Sequence, residues 1–136
     1  MNQVRVTKQF NFEAAHALWN YNGTCQNLHG HSYKLFVTVI GNPIQEADNP
    51  KNGMLIDFRD LKKIVLQEVV DLLDHAVILN STAFESTLTG FNHMFDKRFI
   101  TDYQPTCENL AIDFASRIAK RLPAGVKLHS IRLHET

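Results

Sequence analysis

The sequence predicts one α+β domain in which a β-sheet carries two helices on one face. Polar and apolar residues alternate with a period of two in three stretches, at residues 4–12, 33–39 and 126–136. Such alternation is typical of half-buried strands. Apolar residues recur at helical spacing in two stretches between them, at residues 58–73 and 106–122. The resulting order of strand, strand, helix, helix, strand favours an antiparallel sheet with its helices segregated to one face.

The length and composition are those of a small globular protein with one core. The 136 residues fit a single domain spanning 1–136. Fourteen basic and fourteen acidic side chains balance, so no overall field favours nucleic acid or an anionic membrane as a partner. No stretch has the apolar run of a signal peptide or a membrane span. A cytoplasmic location is therefore expected, in which Cys25 and Cys107 are free thiols.

The first two strands are expected to pair through one loop. The first strand follows the alternation of residues 4–12 and runs on to His16, and the second strand opens at His29. Asn and Gly residues within 17–28 predict the loop between them. Two strands joined by one loop most simply pair as antiparallel neighbours. This pairing brings the imidazoles of His16, His29 and His31 to one end of the pair.

The triplet His29-Gly30-His31 is the most distinctive motif of the chain. In an extended segment alternate side chains share a face, so both imidazoles point the same way. Alone, the triplet is more typical of a polar turn at the start of a strand than of a metal site. A third imidazole from His16 favours the metal site. Three neutral imidazoles leave zinc one open coordination position, which is the pattern of a catalytic site.

Cys25 brings a thiol to the same neighbourhood, and two roles are open to it. It is either a fourth zinc ligand that closes a structural site, or a base. A thiol beside a dication and imidazoles has its thiolate favoured near neutral pH. A thiolate in the fourth position would block the Lewis-acid function, so the three histidines favour the catalytic alternative.

The helix predicted at residues 58–73 ends next to an Asp-His pair. Asp57 has the position of its N-cap, and Asp60 favours the positive end of the helix. Asp74 and His75 follow at the C-terminal end, where the protonated form of His75 is favoured. Taken alone, the pair is typical of a solvated helix end. Beside a metal and a thiol, it completes a set of groups for moving protons.

The second half of the chain supplies the other helix after a stretch without clear periodicity. Residues 80–105 carry no pattern of a helix or strand and are predicted to be irregular. Thr106 has the position of a helix N-cap, and Glu108 lies in the first turn. Pro123 ends this helix.

The last strand, residues 126–136, changes phase along its length. A β-bulge near His129–Ser130 would reconcile the two phases. In the second phase Glu135 falls on the apolar side, where a carboxylate without partners is costly. Either the row has reached solvent at this point, or the carboxylate accepts two parallel hydrogen bonds from an N–H-rich ring.

Five segments spread over the chain carry a resemblance to a known family. They are Phe10-Asn-Phe-Glu-Ala-Ala-His16, Cys25-x-x-x-His29-Gly-His31, Leu73-Asp74-His75, Pro105-Thr-Cys-Glu-Asn109 and Leu133-His-Glu-Thr136. In this order and combination they resemble the 6-pyruvoyl-tetrahydropterin synthase and 6-carboxy-tetrahydropterin synthase family.

The resemblance implies a zinc site and a pterin site. The implied zinc ligands are His16, His29 and His31. Cys25 is implied as the catalytic base, with Asp74 and His75 completing the proton relay. The residues implied to hold the pterin substrate, or to lie beside it in the same motif, are Thr106, Cys107, Glu108 and Glu135.

The resemblance also implies a fold and an assembly. The family adopts the tunnelling fold, or T-fold, in which trimers close a β-barrel and pair into hexamers. Active sites form between subunits of this homo-oligomer. Asp74 and His75 are therefore expected to serve the zinc of a neighbouring subunit.

The loop that carries the base predicts the branch of the family. Three residues separate Cys25 from His29, a spacing that resembles the carboxy-forming enzymes of queuosine biosynthesis. Gln26 disfavours a third group that uses a glutamate in this loop, because a neutral amide is not a base. The sequence therefore predicts conversion of 7,8-dihydroneopterin triphosphate to 6-carboxy-5,6,7,8-tetrahydropterin. The alternatives are a 6-pyruvoyl-tetrahydropterin synthase of the tetrahydrobiopterin branch and a non-catalytic zinc-binding T-fold module.

Overall fold

The computed structural model describes residues 2–18, 27–82 and 94–136. Among these residues a five-stranded sheet has the order β4-β3-β1-β2-β5. Its strands are β1 Val4–His16, β2 His29–Gly41, β3 Ala76–Asn80, β4 Arg98–Thr101 and β5 Val126–His134. Two helices of the described part of the chain lie between strands: α1 covers residues 58–73, and α2 is Cys107–Ala119. The predicted α+β class is confirmed.

The strands β1 and β2 pair antiparallel over their whole length, as the sequence predicts. Each is 13 residues long, and His16 lies directly opposite His29 at one end of the pair. The alternating side chains bury one face of both strands, including Phe12 and Tyr33. Both helices pack on this face, so sheet and helices share one hydrophobic core.

The sheet is mixed, and the prediction of a three-stranded antiparallel sheet is wrong in this respect. β3 runs parallel to both β1 and β4. All five residues of β3 are buried, so the strand lacks the alternation that reveals a half-buried strand. β4 lies within the stretch 80–105 that was expected to be irregular. Residues 83–93 of that stretch lie outside the described residues.

The two predicted helices are confirmed, together with their N-caps. The first is α-helical at Phe58–Val65, π-helical at Leu66–Val70 and α-helical again at Asp71–Leu73. Asp57 caps it by accepting a hydrogen bond from the Arg59 N–H at 2.9 Å. Thr106 caps α2, where its hydroxyl accepts from the Asn109 N–H at 3.2 Å. No helix in the described ranges combines the length and apolar character needed to cross a membrane.

The predicted bulge in the last strand is confirmed at His129. Thr38 of β2 pairs with Ser130, and the next residue of β2 pairs with Leu128, so His129 has no partner residue in the register. The extra residue changes the phase of β5. The bulge therefore turns the row that ends at Leu133 toward the core, and Glu135 follows it on the same parity.

Gly41 at the end of β2 provides a test of core packing. A Cβ added there would overlap the carbonyl oxygen of Gly125 and lie 2.6 Å from Leu55 Cδ1. We expect Gly41→Ala to lower the free energy of unfolding by about 1–3 kcal/mol, measured by urea denaturation. Gly30→Ala is the matched control on the same strand, because its Cβ would meet nothing closer than 3.8 Å. Equal stability of the two variants would contradict the packing argument.

Candidate active site

The three predicted histidines converge at the end of the β1–β2 pair. Their candidate ligand nitrogens all lie within 4.8 Å of one another. The Nε2 atoms of His16 and His29 are 3.1 Å apart. His16 is buried, with 3% of its side chain exposed, whereas His29 and His31 are half-buried. The predicted convergence of the three imidazoles is thus observed within a single subunit.

Each of these imidazoles is held by its other ring nitrogen. The Nδ1 atoms of His16, His29 and His31 lie 2.7, 2.7 and 2.8 Å from three main-chain oxygens. These oxygens belong to Pro105, Asn27 and Thr136. Because a carbonyl oxygen only accepts, each Nδ1 carries a proton, and in the neutral imidazole the lone pair is then on Nε2. Metal-binding histidines are oriented in this way in proteins.

The electrostatics of His16 also favour a metal ligand. Burial lowers the pKa of His16, and the hydrogen bond to Pro105 and the charge of Glu135 oppose this effect only in part. The neutral imidazole, which is the form that binds metals, is therefore favoured. Three Nε2 atoms converging at one point fit zinc, which prefers nitrogen and sulfur ligands in a tetrahedral arrangement.

Glu135 places a carboxylate beside the imidazoles. Its Oε2 lies 3.5 Å from the Nε2 atoms of both His16 and His31. The Tyr33 hydroxyl donates a hydrogen bond to the same oxygen at 3.3 Å. Glu135 does not join the cluster of ligand atoms, which among the described residues contains only histidines. The carboxylate therefore borders the metal site without completing it.

The N-terminus of α2 lies against the same place. Pro105, whose oxygen holds His16, directly precedes the cap residue Thr106. The Cys107 thiol is half-buried and donates to the Leu133 oxygen at 3.4 Å. Burial, reinforced by the charges of Glu135 and Glu108, raises the pKa of Cys107 to about 11, so this cysteine is a neutral thiol at pH 7. Glu108 itself is exposed in the first turn.

The Asp74–His75 pair forms a structured turn after α1. Asp74 Oδ1 accepts from the Glu13 N–H at 2.9 Å and lies 3.1 Å from His75 Nδ1. Lys97 donates to the Asp74 main-chain oxygen at 2.6 Å. The hydrogen bond from Glu13, followed by that from His75, lowers the pKa of Asp74. The carboxylate is thus ionised and fixed, and it orients an imidazole that is 78% exposed.

His75 and the metal-site residue His31 border one cavity of about 450 Å³. Glu13, Ser32 and Thr136 also line it. The structure therefore brings His16, His29, His31 and Glu135 together, and His75 borders the same cavity as His31. Cys25, the predicted base, lies outside the described residues.

Tyr33 and the main-chain oxygens that hold the imidazoles, among them that of Thr136, were not predicted from the sequence. Tyr33 lies two residues after His31 on the same face of β2, so strand parity alone was a usable signal for it. Thr136 contributes its main-chain oxygen to His31, and its hydroxyl donates to the Ser32 oxygen at 3.0 Å. Any residue can supply a main-chain oxygen, so the residue type at this position gives no signal for this role.

Comparison with other proteins assigns the chain to a family. The sequence profile described as 6-pyruvoyl tetrahydropterin synthase matches residues 5–136. A 6-carboxy-5,6,7,8-tetrahydropterin synthase of Haemophilus influenzae is 37% identical over 134 residues, which are 97% of this chain and 92% of that protein. A 6-pyruvoyl tetrahydrobiopterin synthase of Homo sapiens is 31% identical over 146 residues, with 98% of this chain and 86% of that protein covered.

Solved structures share the fold. An uncharacterized protein of Wolinella succinogenes aligns with a TM-score of 0.79 at 22% identity, over 100% of this chain and 94% of that chain. The 6-pyruvoyl tetrahydropterin synthase of Caenorhabditis elegans aligns with a TM-score of 0.63 at 24% identity, over 100% and 97%. These likenesses confirm the predicted T-fold, and the sequence matches confirm the predicted resemblance. The chain belongs to the 6-pyruvoyl tetrahydropterin synthase family.

Proposed function

We propose that the protein is a zinc-dependent 6-carboxy-5,6,7,8-tetrahydropterin synthase. The substrate is 7,8-dihydroneopterin triphosphate, and the other products are acetaldehyde and triphosphate. One water balances the atoms, because the carbon that remains on the ring becomes a carboxylate while the outer two carbons leave as acetaldehyde. The relative from Haemophilus influenzae that carries this name supports the proposal at 37% identity.

The observation that carries the proposal is the set of three imidazoles whose Nε2 atoms converge and whose Nδ1 atoms are bound to main-chain oxygens. The residues that would hold the ion are His16, His29 and His31. Zinc, when bound, supplies Lewis acidity that polarises an oxygen of the substrate side chain. Three protein ligands would leave the ion one open position, which is the pattern of a catalytic zinc site.

The proton transfers fall to Cys25, Asp74 and His75. Cys25 is four positions before His29 in the sequence, and we assign it the removal of a proton from the substrate side chain. His75, supplied by a neighbouring subunit, exchanges a proton with the substrate. Asp74, fixed by the Glu13 N–H at 2.9 Å, holds the His75 imidazole in orientation.

We assign to the Glu135 carboxylate the role of binding the pterin ring of the substrate. A pterin presents an amino group and a ring N–H side by side, and a carboxylate accepts from both. Thr106 caps the N-terminus of α2, Cys107 begins the helix within reach of the charge of Glu135, and Glu108 follows in the same turn. This arrangement orients the substrate so that its side chain reaches the imidazoles.

The branch of the family is assigned from the loop before β2. Only three residues separate Cys25 from His29, and the length of this loop sets where the base meets the substrate side chain. The human relative, named for the pyruvoyl product, aligns over 146 positions, more than the 136 residues of this chain. It therefore carries insertions, whereas the relative from Haemophilus influenzae aligns over 134.

The assembly is proposed to be a hexamer built from two trimers, in the cytoplasm. In the described residues, positions 4–13 of β1 pair only with β2, because pairing with β3 begins at Ala14. β5 pairs with β2 and forms the opposite edge of the sheet. Unpaired edges of this length are templates for pairing with another chain. Pairing of one edge with the other in a neighbouring copy would close a barrel.

Mutation can separate the role of zinc ligand, assigned to His29, from the role of catalytic base, assigned to Cys25. We expect His29→Ala to lose zinc and Cys25→Ala to retain zinc while its turnover falls by about 10²–10⁴-fold. Zinc content by atomic absorption and turnover by pterin chromatography check both. His129→Ala is the control, because His129 is an exposed histidine on the β5 bulge, and it should retain both properties.

Zinc-free Cys25→Ala protein would overturn the assignment of Cys25 as the base. Cobalt substitution gives an independent reading, since a cysteine ligand produces sulfur-to-cobalt charge-transfer bands. Their presence in the wild-type protein would favour a closed, non-catalytic zinc module, and their absence is expected here.

Product analysis tests the branch. We expect incubation with 7,8-dihydroneopterin triphosphate to yield 6-carboxy-5,6,7,8-tetrahydropterin together with stoichiometric acetaldehyde. Acetaldehyde is trapped with a hydrazine reagent, and the pterin is identified by chromatography and mass. Formation of 6-pyruvoyl-tetrahydropterin without acetaldehyde would place the protein in the tetrahydrobiopterin branch, since triphosphate elimination alone breaks no carbon–carbon bond.

Sharing of the active site between subunits is testable by complementation. Cys25→Ala and His75→Ala proteins are unfolded, mixed in equal amounts and refolded together. If one subunit supplies Cys25 and its neighbour supplies His75, random mixing restores about a quarter of the sites. Each variant refolded alone is the control and should stay inactive. Light scattering should show a hexamer; a monomer, or no recovery of turnover, would contradict shared sites.

A further inference from the structure

Tyr33 carries a buried hydroxyl next to the candidate metal site. Its side chain is 0% exposed, and its ring stacks on Phe12 at a centroid distance of 4.9 Å and an angle of 10°. The His16 and His31 rings lie steeply inclined to it, with ring centroids 6.3 and 5.5 Å away. Phenylalanine would satisfy this packing equally well. The hydroxyl therefore needs a separate explanation, because a buried polar group without a partner is unfavourable.

The partner of the hydroxyl is Glu135. The Tyr33 hydroxyl lies 3.3 Å from Glu135 Oε2, at a point where the donor is fixed by the packing of its ring. We propose that Tyr33 is a positioning residue that holds the Glu135 carboxylate in the orientation that binds the pterin ring. This inference rests on the proposed function, in which Glu135 accepts hydrogen bonds from the substrate.

The hydroxyl acts as a donor rather than as a phenolate. A phenol carries one O–H donor, and Glu135 Oε2 lies 3.3 Å from the Tyr33 oxygen. The hydroxyl therefore directs its proton to the carboxylate. In the described residues the contacts of the Glu135 carboxylate all go through Oε2. Oε1 and the second lone pair of Oε2 are left to accept from a ligand.

The main chain next to Glu135 is fixed from the same strand. The Thr136 hydroxyl accepts from the Ser32 N–H at 3.1 Å and donates to the Ser32 oxygen at 3.0 Å. Ser32 lies between His31 and Tyr33 on β2. One strand thus holds a metal ligand, the side chain of Glu135 and the main chain that follows it. β2 therefore sets the distance between the metal ligand His31 and the Glu135 carboxylate that binds the pterin ring. By holding this carboxylate, Tyr33 controls where the substrate is placed.

The test compares two tyrosines that make the same kind of hydrogen bond, one beside the candidate active site and one away from it. Tyr103, like Tyr33, donates its hydroxyl to a carboxylate, that of Asp113, at 2.5 Å, and it lies outside the site. Tyr33→Phe and Tyr103→Phe each delete one such hydrogen bond. The probes are pterin, titrated by its fluorescence, and pteridine-2,4-dione, which has a carbonyl oxygen in place of the 2-amino group.

We expect Tyr33→Phe to weaken pterin binding about tenfold or more, since a hydrogen bond to a charged group is lost. Binding of pteridine-2,4-dione, which lacks the amino donor, should change much less, and zinc content should match the wild type. Tyr103→Phe should leave the affinity for both probes unchanged. Equal loss for both probes, or loss in both variants, would indicate a general structural effect and overturn the positioning role.

A double-mutant cycle separates positioning from packing. If Tyr33 acts through Glu135, adding Tyr33→Phe to Glu135→Gln should cause little further loss of pterin affinity. Independent losses would overturn the inference, and so would a Tyr33→Phe protein that binds pterin as tightly as the wild type. Wild-type protein that binds zinc but no pterin would instead overturn the proposed substrate class.

If Tyr33→Phe does not fold, Glu135→Asp tests the same contact by withdrawing the carboxylate from the hydroxyl, and it should lose pterin selectively.

Discussion

The register of β1 against β2 is the constraint on which the candidate active site depends. His16 stands directly opposite His29, and Phe10 and Phe12 of the same strand are buried in the core. Because side chains alternate between faces, a slip of one residue in this register would move Phe10, Phe12 and His16 from the core face to solvent. Burial of the aromatic side chains therefore fixes the register, and the register decides where the imidazoles meet. The stability of the core and the geometry of the site have one cause.

The register brings the imidazoles together, but three other segments orient them. The main-chain oxygens that hold the Nδ1 atoms come from Asn27 before β2, Pro105 before α2 and Thr136 after β5. A metal bound at the Nε2 atoms is consequently coupled to the first turn of α2 and to the segment that carries Glu135. Removal of such oriented acceptors weakens metal sites by about 10–100-fold in general. The centre is thus a property of the whole fold, and not of the β1–β2 pair alone.

The sequence was sufficient wherever a periodic pattern or a cap specified the structure. The pairing of the first two strands, both helices with their N-caps at Asp57 and Thr106, and the bulge at His129 were all predicted. β3 was not, because a strand buried on both faces has no alternation and follows α1 without a distinctive break. The contact between Tyr33 and Glu135 was not predicted either. An apolar face accounts for the tyrosine ring fully, and only its three-dimensional neighbours explain its hydroxyl.

The turn at Asp74 and His75 shows how β1 connects the proposed relay to the metal site. His75 has a φ of 63°, a left-handed conformation that costs a residue other than glycine about 1–2 kcal/mol. Hydrogen bonds to the main chain of Glu13 hold it there, from the His75 N–H to the Glu13 oxygen and from the Glu13 N–H to Asp74. These groups of Glu13 point away from β2, to the edge along which residues 4–13 have no second strand in the described structure. A second copy paired along that edge would lie beside Asp74 and His75, which is the physical reason to expect the relay to act across a subunit boundary.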